Sequence, residues 1–117
     1  MLFRSKRIKQ LQTIVVDVAS MALTSDDPNV FRERARIRAA EVSDQDVTLF
    51  AKILGKLPEP PDAYDPMKHG LGGWISRCQF AVFELLSHKG KAALPFFRIL
   101  AWGEYDWTQG NAIEMLI

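Results

Sequence analysis

The chain has 117 residues, of which 48% are hydrophobic and 25% are charged, the ordinary mixture of a single folded domain. Its net charge of +1 is too small to indicate nucleic acid or an acidic surface as a partner. The single cysteine, Cys78, excludes an intramolecular disulfide and favours a cytoplasmic location. Polar residues interrupt the apolar segment 11–23, so we expect neither a membrane span nor a signal peptide.

The first 57 residues predict three helices. Over residues 5–23, apolar residues recur at steps of three and four, as on an amphipathic helix. The members of this stripe are Ile8, Leu11, Ile14, Val15, Val18 and Ala22. Asp27 and Pro28 predict the N-cap and first position of a second helix, which runs to about Val42. Ser43 predicts the N-cap of a third helix, for which Gly55 is the C-terminal stop. The apolar face of this third helix consists of Val47, Phe50, Ala51 and Leu54.

Residues 58–73 form a break rich in proline and glycine, through which we expect neither helix nor strand to persist. The break divides an N-terminal three-helix unit, residues 1–57, from a C-terminal part, residues 74–117, within one domain of residues 1–117. No segment alternates with a period of two, so no strand is predicted.

Helical periodicity returns at Trp74 and ends at His88 to Gly90. The predicted apolar arc of this helix comprises Ile75, Cys78, Phe80, Ala81, Val82, Phe83, Leu85 and Leu86. The next helix is predicted from Lys91 to about Trp102. Pro95 lies near its start, where no internal hydrogen bond is lost. Thr108 is the predicted N-cap of a last helix that ends at Ile117.

An internal repeat relates two of these helices. Ala81 and Leu85 stand four residues apart, as do Ala112 and Leu116, and the two pairs are offset by 31 residues. A fixed period of this kind is typical of stacked helical hairpins. An alanine at the tightest contact allows two helices to approach closely, and a leucine one turn later fills the space between layers.

The stretch that contains this repeat resembles the HEAT-like repeat family. The resemblance lies in Arg77-x-x-x-Ala81-x-x-x-Leu85, then Lys89-Gly90-Lys91-Ala92-Ala93-Leu94-Pro95, then Asp106 ahead of Ala112-x-x-x-Leu116. It covers residues 74–117, although Gln109, Gly110 and Asn111 stand where the family has a basic residue. The resemblance implies an all-α fold, a right-handed α-α superhelix of stacked antiparallel helix pairs with about six helices.

No group of residues predicts catalysis, a cofactor or a metal. His69 and His88 lie 19 residues apart and have no cysteine or carboxylate at metal-ligand spacing, so we expect structural or solvated roles for both. Cys78 lies on the apolar side of its helix, which predicts a buried, inert thiol. We therefore expect a protein that is not an enzyme.

Four arginines alternate along the second predicted helix: Arg32, Arg34, Arg36 and Arg38. One interpretation is a phosphate-binding surface for nucleic acid. The other is a solvated helix in which Glu33 and Glu41 balance the positive charge. We favour the second, because the net charge is low and no aromatic residues are interleaved with the arginines.

Aromatic residues crowd the short turn that contains Trp102, Tyr105 and Trp107. Such residues fill gaps between stacked hairpins and are also frequent at binding hot spots. This turn is the first candidate for contact with a partner. The second is the loop of residues 58–73, with Tyr64 at its middle.

The leading functional hypothesis is a protein–protein interaction or scaffold module whose partner is another protein. The alternatives are a nucleic-acid-binding helical-repeat protein and, least favoured, an enzyme that resembles the HEAT-like lyases that attach bilin pigments. The apolar C-terminal helix leaves three alternatives: a fragment of a longer array, a homo-oligomer formed through that edge, or a last helix that folds back. We prefer the first two.

Overall fold

The computed structural model describes the backbone of residues 2–70 and 72–101, and the side chains of residues 5–70 and 72–98. Over this part of the chain the fold is all-helical and contains no strand, as predicted. Six helices follow one another: α1 (Leu2–Thr24), α2 (Pro28–Ala39), α3 (Leu49–Gly55), α4 (Pro66–His69), α5 (Gly73–Ser87) and α6 (Leu94–Ala101). Two short 3-10 turns, Asp44–Asp46 and Gly90–Ala93, precede α3 and α6.

Helices α1, α2 and α5 pack against one another around a single apolar cluster. The centre of the predicted stripe of α1 is confirmed, since Leu11, Ile14, Val15 and Val18 are buried. Its end members Ile8 and Ala22 are half-buried, and Ala19, outside the predicted stripe, is buried as well. Ala35 and Ala39 are the buried residues of α2, and their small side chains let this helix lie close to its neighbours. Because α3 and α6 contribute to the same cluster, residues on both sides of the proline-rich segment share one core.

The start of α2 follows from local backbone chemistry. Asp27 has an extended backbone, and its side chain accepts a hydrogen bond from the N–H of Asn29 at 2.9 Å. Pro28 occupies the first helical position, where an N–H would have no partner within the helix. Both predictions for this helix start are confirmed.

The predicted third helix is divided in two. A 3-10 turn follows Ser43, and the α-helix begins only at Leu49. The carboxylate of Asp46 accepts a hydrogen bond from the N–H of Ser43 at 2.9 Å. This side chain therefore satisfies the backbone donor of the N-cap residue, as in a capping box. Gly55, predicted to lie beyond the helix, is its last residue, and Lys56 is the C-cap.

The proline- and glycine-rich segment 58–73 contains one short helix and no strand among its described residues. Residues Pro66–His69 form a single turn, α4, for which Asp65 is the N-cap and Pro66 the first residue. The side chain of Asp65 accepts from the N–H of Met67 at 2.9 Å. This is the same Asp-Pro signal that starts α2, so the sequence contained the information for this turn.

The predicted apolar arc of α5 is too wide. Six of its eight residues are buried, whereas Ile75 is 50% exposed and Phe80 is 48% exposed. Successive residues on a helix are about 100° apart, so Phe80 lies roughly opposite both Cys78 and Val82, which face the core. In α6, Pro95 lies in the first turn, as predicted, because the 3-10 turn Gly90–Ala93 occupies the residues before it.

Candidate binding groove

A groove of about 370 Å³ lies between the turn that joins α1 to α2, the first turns of α2, and one face of α5. Ten residues line it: Ala22, Ser25, Asp26, Asp27, Pro28, Phe31, Arg32, Arg77, Phe80 and Glu84. The side chain of Ser25 accepts from the N–H of Asp27 at 3.1 Å, and Asp27 caps α2. In one wall of the groove, the side chains of Ser25 and Asp27 fix the backbone by hydrogen bonds. The other wall belongs to α5, a helix of the core.

The apolar part of the groove contains two aromatic side chains. Phe80 is 48% exposed, and Phe31 is half-buried at the edge of the core cluster. Neither was predicted from the sequence as a site residue, because an apolar residue on a helix is normally assigned to the core. A helical projection of α5 places Phe80 on the face opposite the buried residues of this helix. This projection was the signal in the sequence that could have indicated the exposure of Phe80.

The charges of the groove are divided between its walls. Nε of Arg32 lies 3.7 Å from Oε1 of Glu84, so this pair joins α2 to α5 across the groove. Nη1 of Arg77 donates to the carbonyl oxygens of Gly73 at 3.0 Å and His69 at 3.4 Å. Both arginines therefore have acceptors within the chain.

The four arginines of α2 have carboxylate partners, which include Asp17 and Glu84 as well as the expected Glu33 and Glu41. Nη1 of Arg34 and Nη1 of Arg38 lie 3.2 and 3.3 Å from Oδ2 of Asp17 on α1. Nε of Arg38 also lies 2.8 Å from Oε2 of Glu41. The other two pairs are Arg36 with Glu33 and Arg32 with Glu84. The structure thus distributes these arginines among several acids and does not gather them into one unpaired basic surface.

Tyr64, the second candidate for partner contact, packs within its own loop. Its hydroxyl donates to the carbonyl oxygen of Gly70. Its ring stacks on that of His69 with centroids 5.5 Å apart and lies 6.1 Å from that of Trp74. Nδ1 of His69 accepts from the N–H of Asp65 at 3.0 Å, which closes the turn of α4. Both side chains hold the loop against the start of α5.

Cys78 is fully buried, as predicted, and burial raises the pKa of its thiol to about 12. His88 is exposed at the end of α5, where it is the C-cap. Among the described residues, no group of three or more His, Cys, Asp or Glu side chains is placed to hold a metal ion.

Several predicted features lie outside the described residues. These are the aromatic turn with Trp102, Tyr105 and Trp107, the second half of the internal repeat with Ala112 and Leu116, and the apolar C-terminal helix. Within residues 2–70 and 72–101, no helix has the length and apolarity to cross a membrane. No known protein family, curated protein or solved structure matches the chain.

Proposed function

We propose that the chain is a non-enzymatic protein–protein interaction module whose groove receives apolar side chains of a partner protein. The observation that supports this most directly is the open groove of about 370 Å³, with Phe80, 48% exposed, in its wall. This volume is at the lower end of the range for ligand pockets, which suits a few side chains better than a large cofactor. Aromatic side chains in such positions commonly dominate binding energy at interfaces.

A pair of variants on α5 tests this function. Phe80→Ala removes an aromatic wall of the groove, whereas Ile75→Ala removes an apolar side chain of similar exposure that lies outside it. The immobilised parent and both variants are incubated with lysate of cells that express the chain, and retained proteins are quantified by mass spectrometry. We expect Phe80→Ala to lose partners that Ile75→Ala retains. Equal retention by both variants would exclude the groove as the binding surface.

The HEAT-like architecture of residues 74–117 is a second part of the proposal. Three features support it: α5 leads through a turn at Gly90 into α6, Ala81 is fully buried, and the rings of Phe83 and Phe97 stack with centroids 5.8 Å apart. If the 31-residue period is structural, Ala81→Leu and Ala112→Leu should each lower the free energy of unfolding by about 1–3 kcal/mol through overpacking. An Ala112→Leu variant as stable as the parent would contradict the repeat.

The aromatic turn remains a candidate second contact for the same partner. Tyr105→Ala and Trp107→Ala, made together and separately, should reduce capture of the partner if the turn belongs to the interface. Folding is checked by circular dichroism. A folded double variant that captures its partners as the parent does would remove this turn from the proposed surface.

Nucleic-acid binding through Arg32, Arg34, Arg36 and Arg38 is the less favoured alternative. Their ion pairs with acids of α1, α2 and α5 offset the charge that would attract phosphates. A gel-shift measurement with DNA and RNA at low salt tests this alternative, since the electrostatic contribution is largest there. Binding that weakens steeply as salt is added would support nucleic-acid binding through these arginines.

A further inference from the structure

We propose that the groove binds a segment of a partner protein in which an apolar side chain stands next to a lysine or arginine, an inference that rests on the proposed interaction function. The apolar part of the groove, with Phe31 and Phe80, receives the apolar side chain. The carboxylates of Asp26 and Asp27, at the turn before α2, receive the basic one.

Two carboxylates of the groove, those of Asp26 and Asp27, have no counterion among the described residues. Asp26 is exposed and has no hydrogen-bond or ion-pair partner among the described residues. Asp27 is also exposed and uses Oδ1 to accept from the N–H of Asn29, which leaves its other carboxylate oxygen available. A carboxylate has about four acceptor positions, so capping a helix does not exhaust it.

Of the two arginines of the groove, Arg32 has a carboxylate partner, Glu84, and Arg77 has none. Nη1 of Arg77 donates to the carbonyl oxygens of Gly73 and His69, and its buried Nε has no hydrogen-bond partner. One guanidinium without a counterion therefore stands against the two carboxylates of Asp26 and Asp27. A bound cation meets Asp26 and Asp27 without displacing a partner of the same charge.

The helix end beside the groove also disfavours an anion. The N-terminus of a helix ordinarily attracts anions through its exposed N–H groups and its dipole. At α2 this position is taken by the carboxylate of Asp27, which already accepts from the N–H of Asn29. The groove is lined by three carboxylates, Asp26, Asp27 and Glu84, and by two arginines, Arg32 and Arg77, so its excess negative charge favours a basic segment over an acidic one.

The probe is a displayed library of random peptides selected on the whole chain, followed by synthesis of the enriched peptides. We expect the enriched sequences to pair an aromatic or large aliphatic residue with a neighbouring lysine or arginine. Replacing that basic residue by glutamate should weaken binding by roughly 10-fold or more, since attraction becomes repulsion. Added salt should weaken binding of the basic peptide, because the carboxylates are exposed.

The variant that tests the site is the double substitution Asp26→Asn/Asp27→Asn. Asparagine caps helices as well as aspartate does, so α2 keeps its N-cap while the groove loses two charges. We expect the basic peptide to bind roughly 3- to 10-fold more weakly to this variant. The matched control, Glu59→Gln/Asp62→Asn, removes two exposed acids from the loop outside the groove and should leave binding unchanged.

Each alternative outcome has a distinct meaning. Enriched peptides that bind through Phe80 but carry acidic residues, or that carry no charged residues, would overturn this inference and leave the proposed function intact. No enriched peptide at all would overturn both. A dimer of the chain in sedimentation measurements that Phe80→Ala abolishes would show that a second copy occupies the groove, and would overturn the inference.

Discussion

The guanidinium of Arg7 holds the carboxylate of Asp46 in a two-point ion pair, with Nε–Oδ1 at 3.0 Å and Nη2–Oδ2 at 2.6 Å. The two residues are 39 positions apart, so the pair joins α1 to the 3-10 turn before α3. Nη2 also donates to the carbonyl oxygen of Glu41 at 2.7 Å. Among the described residues, Asp46, 6% exposed, is the buried charged side chain, and its charge depends on Arg7.

Replacing Arg7 by methionine keeps the apolar stem and removes the guanidinium. We expect the free energy of unfolding, measured by urea denaturation, to fall by about 1–3 kcal/mol, because Asp46 loses its charged donors and stays largely buried. The side chain of Arg7 is 32% exposed, so solvent screening favours the lower part of this range. The control is Lys9→Met on the exposed side of the same helix, which should change stability by less than about 0.5 kcal/mol.

A double-mutant cycle with Asp46→Asn separates the pair from other effects of Arg7→Met. If the two side chains act through each other, the double variant should lose less stability than the sum of the single losses. Additive losses would show that the contact contributes no coupling energy.

The free energy of unfolding should fall in acid as the carboxylate of Asp46 becomes protonated. Hydrogen bonds, first from Arg7 and then from Ser43, together with the positive charge of Arg7, lower the pKa of Asp46 from 3.8 to about 2 in the folded chain. The folded state therefore holds this proton less tightly than the unfolded state, and the contribution is present above about pH 4 and lost as pH falls through about 2. We expect it to be on the order of 2 kcal/mol. Urea denaturation across this window should show a shallower pH dependence for Asp46→Asn than for the parent.

The thiol of Cys78 should be protected from reagents in the folded state. It is 0% exposed, and burial raises its pKa to about 12, so the reactive thiolate is scarce at neutral pH. We expect its reaction with a soluble thiol reagent at pH 8 to be at least about 100-fold slower than that of free glutathione, because it requires opening of the core. In denaturing urea the difference should vanish. Rapid labelling of the folded chain would contradict this packing.

Replacing each of two glycines by alanine should change the free energy of unfolding in opposite directions. Gly90 has a φ of +56°, whereas Gly55 ends α3 without a positive φ, and an added Cβ meets nothing within 4 Å at either position. Gly90→Ala should lower the free energy of unfolding by about 1–2 kcal/mol, since L residues are strained in that conformation. Gly55→Ala should raise it by about 0.5–1 kcal/mol by restricting the unfolded chain. Equal effects in thermal denaturation would contradict the assigned turn at Gly90.

One wall of the proposed groove could be predicted from the sequence, and the other could not. The Asp27-Pro28 start of α2 could be predicted, because it depends on side chains that contact their own backbone within a few residues. The exposure of Phe80 could not be read from composition, because apolar residues on a helix are counted toward the core unless the packed side is known. The groove exists because α2 and α5 meet beside the turn that ends α1.

Four features of the described residues could be predicted from the sequence alone: the all-helical character, the buried centre of the α1 stripe, the buried Cys78 and the tolerance for Pro95 in a first turn. These follow from periodicity and from hydrogen bonding within one or two helical turns. The packing of the helices, and not any local pattern, places Arg7 beside Asp46 and brings Arg34 and Arg38 to the same carboxylate of Asp17. Such pairings join distant residues, and they depend on which helix faces pack together, a global outcome of burial that no local pattern specifies.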